Sequence, residues 1–235
     1  MPYRSVATSV EGFIQQLACS YLRHGYWFYV VGKVPEDKDP AEVDAKIIRK
    51  YGIDVSESTR ARRKKAGHAN LQYIRYERTF VILATKGKHR FFAEEAKQIR
   101  DIRHVPLRFA GYALSYKRGG RTKEGLPDPK WHSHVAIERR QYLELKAMFA
   151  SNAVKETATG LAKAFYHLPV VPYAPVRRQL LMMLREVNRV RKKAGKSTLP
   201  TEVLPLRRKV VKPFSLEIFV AGLNFETIGS VAALL

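Results

Sequence analysis

The apolar pattern changes character near residue 138, and this change limits the folds open to the chain. Before it, short apolar or alternating segments of strand length are interspersed with helical segments. After it, apolar residues recur mainly at helical spacing, and prolines separate the segments. We therefore predict an α+β fold, with a mixed or antiparallel sheet of about five strands and flanking helices, followed by a basic helical C-terminal region. The corresponding domains are residues 1–138 and 139–235.

The first third reads as helix, strand and helix. Apolar residues at helical intervals predict a helix over residues 9–24, and Gly25 marks its end. The aromatic and β-branched residues 26–33 predict a buried strand. Pro40 in a first turn and Gly52 just past a last turn bound the second helix.

The middle of the chain predicts the remaining strands. Residues 56–68 lack apolar periodicity, which is typical of a loop or a loosely held helix. Strands are predicted at residues 71–77, 80–84, 107–116 and 131–137, with a helix at residues 93–102. Gly111 inside its strand indicates a bulge or a close backbone approach. The glycines, prolines and basic residues of 117–130 predict a mobile basic loop.

The last part predicts three helices and one short strand. The helices cover residues 139–150, 154–167 and 175–194, and prolines break the second from the third. In the third helix an apolar stripe is expected to face the core, and a stripe of basic residues is a candidate phosphate-binding surface. A short strand is predicted at residues 216–220.

Positive charge is large and unevenly distributed. The chain has 43 Lys+Arg against 21 Asp+Glu, a formal net charge of +22. Residues 1–59 carry −1 of this, residues 60–140 carry +14, and residues 141–235 carry +9. Because Lys and Arg release condensed counterions from a polyanion, this distribution favours nucleic acid as the partner. We expect the nearly neutral residues 1–59 to serve the core or to dock onto a larger protein.

Composition also excludes several classes of protein. No apolar run approaches the ~18 residues of a membrane span, so we expect no membrane partner. The single cysteine, Cys19, excludes a disulfide framework and a cysteine-rich zinc finger, and it fits a reducing cytoplasm. The sequence has neither a phosphate-binding glycine loop nor a dinucleotide fingerprint.

Basic residues form several clusters, of which the densest puts five charges into six positions at residues 60–65. We predict that these clusters bind DNA or structured RNA, within an accessory component of a nucleoprotein complex or mobile-element system. Separated clusters favour a folded or bent target over one short strand. The predicted nucleic-acid-binding residues are Arg60, Arg62, Arg63, Lys64, Lys65, Lys117, Arg118, Arg121, Arg177, Arg178, Arg185, Arg189, Lys192, Arg207 and Arg208.

Aromatic side chains are interleaved with this charge. Such a pattern on a sheet face can stack unpaired bases while Arg and Lys follow the backbone. Most of these aromatic residues are expected in the core, where strands need bulky side chains. The candidates are Tyr73, Tyr76, Phe80, Phe91, Phe92, Tyr112 and Tyr116.

A His-x-His pair is the main candidate for chemistry. His132 and His134 flank Ser133 on a predicted strand, so both imidazoles point to one face. A third ligand from His89, His104 or a carboxylate would complete a site for a divalent metal such as Mg²⁺ or Mn²⁺. The alternative is that the two histidines line a polar face or contact phosphate.

These histidines resemble the paired histidines of the His-hydrophobic-His endonucleases of transposases, relaxases and rolling-circle initiators. The resemblance covers this short motif and a loose α+β order, and the middle residue here is Ser133. It implies a metal-dependent nuclease or strand-transferase in which His132 and His134 bind the metal and a later tyrosine attacks a DNA phosphate. Tyr173 is the candidate nucleophile and Tyr166 the other possibility. Metal-independent RNA cleavage is a further hypothesis.

Overall fold

The computed structural model describes residues 3–120 and 124–215. Its first helix starts as α1 (Val10–Gln15), continues as a π-helical turn (Gln16–Tyr21) and ends as a 3₁₀ turn (Leu22–His24). The helix predicted at residues 9–24 is thus confirmed, and its second half changes from α-helical to π-helical and then to 3₁₀ geometry. Gly25 takes the left-handed conformation (φ 91°) that stops a helix.

A strand and two helices follow. Strand β1 (Phe28–Lys33) leads to α2 (Pro40–Tyr51), and the Asp39 side chain caps α2 by accepting from the backbone N–H of Ala41. Residues 56–68 contain α3 (Glu57–Lys65), which buries no side chain. Because α3 has no buried apolar face, it is held by the Ser56 cap at its start and by hydrogen bonds to the preceding chain.

The first sheet has four antiparallel strands in the order β2-β3-β1-β4. Its other members are β2 (Leu71–Tyr76), β3 (Thr79–Ala84) and β4 (Arg100–Asp101). The helix predicted at residues 93–102 is wrong. Only the short α4 (Phe91–Glu94) forms, because the segment then pairs with β1 and buries Ile102.

The second sheet is the antiparallel meander β5-β6-β7. Its strands are β5 (Leu107–Phe109), β6 (Tyr112–Arg118) and β7 (Trp131–Ile137). The single strand predicted at residues 107–116 is therefore a hairpin. Ala110 (φ 45°) and Gly111 (φ 78°) both have positive φ, as a tight two-residue hairpin turn requires, so Gly111 marks a turn instead of a bulge.

The C-terminal part is helical, as predicted. It contains α5 (Arg139–Lys155), α6 (Ala158–Tyr166), α7 (Ala174–Lys193) and a 3₁₀ turn at Thr201–Val203. The carboxylate of Glu138 caps α5 by accepting from the N–H groups of Arg140 and Gln141. The strand predicted at residues 216–220 lies outside the described residues.

Two apolar cores cover the two faces of the first sheet. Along β2, Tyr73 packs into a core with Phe91 and Tyr51, whereas its neighbour Ile74 packs on the other side with the first helix. That second core continues through the meander to α5, α6 and α7. The boundary at residue 138 therefore separates strands from helices that share one core.

The predicted fold class is confirmed, because antiparallel sheets and flanking helices form a mixed α+β structure. In the part of the chain that the structure describes, the strands number seven in two sheets instead of about five in one. Within those same residues, no helix is both long and apolar enough to cross a membrane.

Candidate nucleic-acid interface

Three aromatic rings form a row where the two sheets meet. The Trp27 and Tyr116 rings are stacked with centroids 5.8 Å apart, and the Tyr116 and Trp131 rings with centroids 5.9 Å apart. The interplanar angles are 27° and 17°. We call Trp27, Tyr116 and Trp131 the aromatic row. Trp131 lies at its end and is 41% exposed.

Backbone hydrogen bonds bring the row together. The N–H of Ile102 donates to the carbonyl of Trp27 (2.9 Å), and the N–H of Tyr116 donates to the carbonyl of Ile102 (3.4 Å). In the meander Tyr116 is paired with Ser133, so Trp131 is its diagonal neighbour on the same face. Residues far apart in sequence thus meet through strand pairing.

The irregular end of the first helix forms one wall beside the row. Its carbonyls accept from groups outside the regular helical pattern: Ala18 from the Ser133 hydroxyl (2.5 Å) and Leu22 from the Trp27 indole N–H (3.2 Å). Ala18 lies in the π-helical turn, a kind of widened turn that is frequent at functional sites, and Leu22 begins the 3₁₀ turn. The two hydrogen bonds fix β7 and Trp27 against the helix.

A guanidinium extends the row at its Trp27 end. Arg103 lies over the Trp27 ring, 4.5 Å from its centroid, and is held by Asp101 through an Nη2–Oδ2 bond of 2.6 Å. Burial raises the pKa of the Asp101 carboxyl, but hydrogen bonds from the Arg103 side chain and backbone outweigh this, and the net pKa is lowered. The carboxylate therefore stays ionised and fixes Arg103 on the ring.

The row lines a cleft of about 790 Å³, which we call the first cleft. Its cationic lining residues are Arg23, Arg103 and Lys130. A second cleft of about 720 Å³ lies next to it, and both are lined by Arg23 and Trp27. The two clefts are therefore neighbours across these side chains.

The second cleft connects this site to α3. Arg60 and Lys64 of α3 line it together with Asn70, which precedes β2, and Gln72 of β2. The Oδ1 atom of buried Asn70 and the Nε atom of Arg60 have no hydrogen-bond partner. The second cleft thus combines positive charge with one unpaired acceptor and one unpaired donor.

The predicted basic residues of α3 differ in whether their side chains face solvent or contact the rest of the fold. Arg62, Lys64 and Lys65 are exposed. Arg63 instead donates to the carbonyl of Gly52 (3.0 Å) at the end of α2, so it anchors α3 to the fold. Arg60 is half-buried and makes a long bond of 3.4 Å to the carbonyl of Ile53.

The other predicted basic residues are spread over several elements. Lys117 and Arg118 are exposed at the end of β6, and Arg121 lies outside the described residues. Arg208 is half-buried, with its guanidinium over the Tyr173 ring (4.9 Å) and Nη1 3.8 Å from the sulfur of Cys19, a residue of the first cleft. The remaining predicted residues are all exposed: Arg177, Arg178, Arg185, Arg189, Lys192 and Arg207.

Strand β7 carries the His-x-His pair as predicted, with Trp131 and Ser133 alternating against the histidines. His132 Nε2 is 2.9 Å from Asp128 Oδ2 and lies at the first cleft. Burial, followed by the nearby charges of Lys117 and Arg178, lowers the pKa of His134. His134 is therefore neutral at neutral pH.

The structure does not complete the metal site expected around these histidines. Among residues 3–120 and 124–215, no three His, Cys, Asp or Glu side chains come close enough together to hold a metal ion. His89, one expected third ligand, accepts from the backbone N–H of Phe91 (3.1 Å) beside α4. His104 follows β4, where its backbone N–H bonds to the carbonyl of Asp101.

The two candidate tyrosines differ in their exposure. Tyr166 is exposed at the end of α6 and lines a surface cleft with Arg207. Tyr173 directly precedes α7, its hydroxyl is buried without a hydrogen-bond partner, and burial raises its pKa. A raised pKa keeps the Tyr173 hydroxyl protonated.

Sequence reasoning missed Trp27, Trp131, Arg103 and Arg23 as site residues. Of the aromatic candidates it named, Tyr116 lies in the row, whereas Tyr73 and Phe91 are fully buried. One signal was available: the chain has only two tryptophans, and both lie within predicted strands, at residues 26–33 and 131–137. Their stacking on one tyrosine requires the pairing of β6 with β7.

No protein-family model, curated protein or solved structure matches the chain significantly. Function is therefore inferred from the residues of the two clefts.

Proposed function

We propose that the protein binds nucleic acid, DNA or structured RNA, through the two adjoining clefts and α3. The observation that carries the proposal is the shared lining of the clefts by Arg23 and Trp27, which joins the exposed cations of α3 to the aromatic row. Cations in a groove follow a phosphate backbone, and aromatic rings beside them stack bases.

Charge within the first cleft supports a polyanionic ligand. Its cations are Arg23, Arg103 and Lys130, and the carboxylate of Asp101 is already paired with Arg103. The other nearby carboxylate, Asp128, accepts from the backbone of Lys130 and contacts His132. Three cations thus stand against two carboxylates, and the charge around the first cleft is positive on balance.

We place this activity in an accessory component of a nucleoprotein complex or mobile-element system in the cytoplasm. A larger protein partner would dock on the surface of residues 1–59. Strand β1 of this segment lies between β3 and β4, so the available surface is mainly that of α2, half of whose residues are exposed. Co-elution of the full chain with such a partner tests this part.

The salt dependence of binding tests the role of α3. Replacing Arg62, Lys64 and Lys65 with Gln removes three exposed cations without breaking the anchoring bond of Arg63. We expect the slope of log K against log salt to become shallower by roughly 0.7–0.9 for each phosphate that the variant no longer binds. Fluorescence anisotropy with a labelled oligonucleotide at several salt concentrations measures it.

A charge-matched variant serves as the control. Lys33, Lys46 and Lys97 are exposed and line neither cleft. Their replacement with Gln lowers the net charge equally, so it reports the effect of overall charge alone. Equal losses of slope in both triple variants would contradict a specific role for α3.

The nuclease hypothesis is tested in the same preparation. Metal-dependent cleavage at His132 and His134 would appear as shortened end-labelled DNA in Mg²⁺ or Mn²⁺. It predicts that His132→Ala and His134→Ala abolish cleavage while binding persists. Simultaneous loss of cleavage and binding would assign the two histidines a structural role.

A further inference from the structure

We propose that the aromatic row binds unpaired bases, so that the target of this protein contains a single-stranded segment. This inference rests on the proposed nucleic-acid binding and specifies the class of ligand. Trp27, Tyr116 and Trp131 present three nearly parallel rings in one cleft, and the cation of Arg103 continues the row. Every base has a π-face, so such a row accepts bases of any sequence.

The spacing of the rings defines how a base can bind. Insertion of a base between two rings needs roughly 7 Å, twice the 3.4 Å spacing of stacked bases. The centroid distances of 5.8 and 5.9 Å leave no such gap. A base therefore extends the row at its exposed end, on Trp131, instead of separating the rings.

The row is also unlike ordinary core packing. Trp131 remains 41% exposed, although tryptophan is highly buried on average. Its neighbours in the cleft include the exposed cations Arg23 and Lys130. An exposed indole beside exposed cations matches a nucleotide, which joins an apolar ring to an anionic phosphate.

Base pairing would prevent this contact. Inside a duplex both faces of each base are covered by neighbouring bases, and only the edges are accessible in the grooves. Away from the ends of a duplex, a base must therefore be unpaired to stack on Trp131. The cations of the second cleft and α3 then bind the phosphates that follow, whether the flanking strand is paired or not.

Intrinsic fluorescence provides a direct test. The only two tryptophans of the chain, Trp27 and Trp131, are both in the row, so their emission reports on the row and on the clefts that it borders. We expect single-stranded DNA and RNA of one sequence to quench it strongly, and the blunt duplex of that sequence to quench it weakly. The two single strands also show which nucleic acid binds more tightly.

The variant Trp131→Ala should weaken single-strand binding by roughly 5- to 150-fold, the usual contribution of one stacked base. Trp131→Phe retains an aromatic face and should restore most of the affinity. Duplex affinity and the salt slope should not change in either variant, because phosphate contacts remain. A thermal unfolding scan checks that both variants fold.

A substrate change tests the inference with the native protein. Abasic sites in the single strand remove bases and keep every phosphate, so they should reproduce the loss caused by Trp131→Ala. If abasic and normal strands bind equally, the inference that bases stack on Trp131 is wrong, but the proposal that the protein binds nucleic acid is not affected. If no nucleic acid binds with salt-dependent affinity, the proposed function itself is wrong.

Discussion

Asp44 and Arg75 form a buried ion pair that fastens α2 to the first sheet. Arg75 Nε contacts both carboxylate oxygens, at 2.8 and 2.9 Å, and the Tyr73 hydroxyl donates to the same carboxylate. Arg75 Nη1 also donates to the carbonyl of Glu77 (2.5 Å). Asp44 is 5% exposed and Arg75 is 8% exposed. Their charges are therefore shielded from water and depend on each other.

Removal of one partner should be costly. Asp44→Ala leaves the Arg75 guanidinium buried without a countercharge, which typically costs about 3–5 kcal/mol. We expect the free energy of unfolding, measured by urea denaturation, to fall by that amount. The double variant Asp44→Leu with Arg75→Met should be more stable than the single variant, since no unpaired charge remains. A double variant as unstable as Asp44→Ala would contradict this explanation.

Arginines show how much of the site was predictable from residue type. The charge of residues 60–65 drew attention to α3, but the sequence cannot distinguish exposed Arg62 from Arg63, which caps another helix. Arg191 lies in the basic helix α7 yet is buried, and it donates to the carbonyls of Ala153 and Glu156. Which cations reach solvent depends on tertiary contacts.

At the scale of elements, the turn at Gly87 determines how α3 and the first sheet meet. The N–H of Lys88 donates to the carbonyl of Gly67, and the N–H of Ala69 donates to the carbonyl of Lys88. A Cβ atom at Gly87 would lie 2.5 Å from the backbone nitrogen of Ala69. Position 87 therefore requires glycine, because the chain that follows α3 passes close to its Cα atom.

Gly87→Ala should thus be more destabilising than an ordinary glycine substitution. Gly25 is the matched control, because its φ of 91° is also positive but a Cβ atom added there would have nothing within 4 Å. Gly25→Ala should cost about 1–2 kcal/mol from backbone strain alone. Gly87→Ala adds a backbone clash to its own strained φ of 147°, so its urea midpoint should be lower. Equal midpoints would show that the turn adjusts.

Elements with a strong local pattern were predictable, and those decided by pairing were not. The apolar periodicity of α7 and the end signals of α2 gave both helices almost to the residue. Residues 93–102 and 107–116 were assigned wrongly, because β4 forms only by pairing with β1 and the hairpin only by the positive φ of Ala110 and Gly111. Local propensity does not contain this information.

For the whole molecule, the two clefts depend on contacts between distant parts of the chain. The first helix, the start of β1 and the meander each supply one part of the aromatic row or its wall. The side chain of Gln179 in α7 bonds both the N–H (2.8 Å) and the carbonyl (3.0 Å) of Ile137 in β7. The helical region thus supports the strand that carries Trp131.

This shared support predicts a single unfolding transition. Tryptophan fluorescence reports on the row, whereas far-UV circular dichroism is dominated by the helices, of which α5 and α7 are the longest described. Because β7 and α7 share one core, the urea transitions from both probes should coincide, as two-state unfolding requires. If the chain divided at residue 138 into independent domains, the helical signal would be lost at a different urea concentration from the fluorescence change. Coincident transitions would mean that removal of the helical region also destroys the aromatic row.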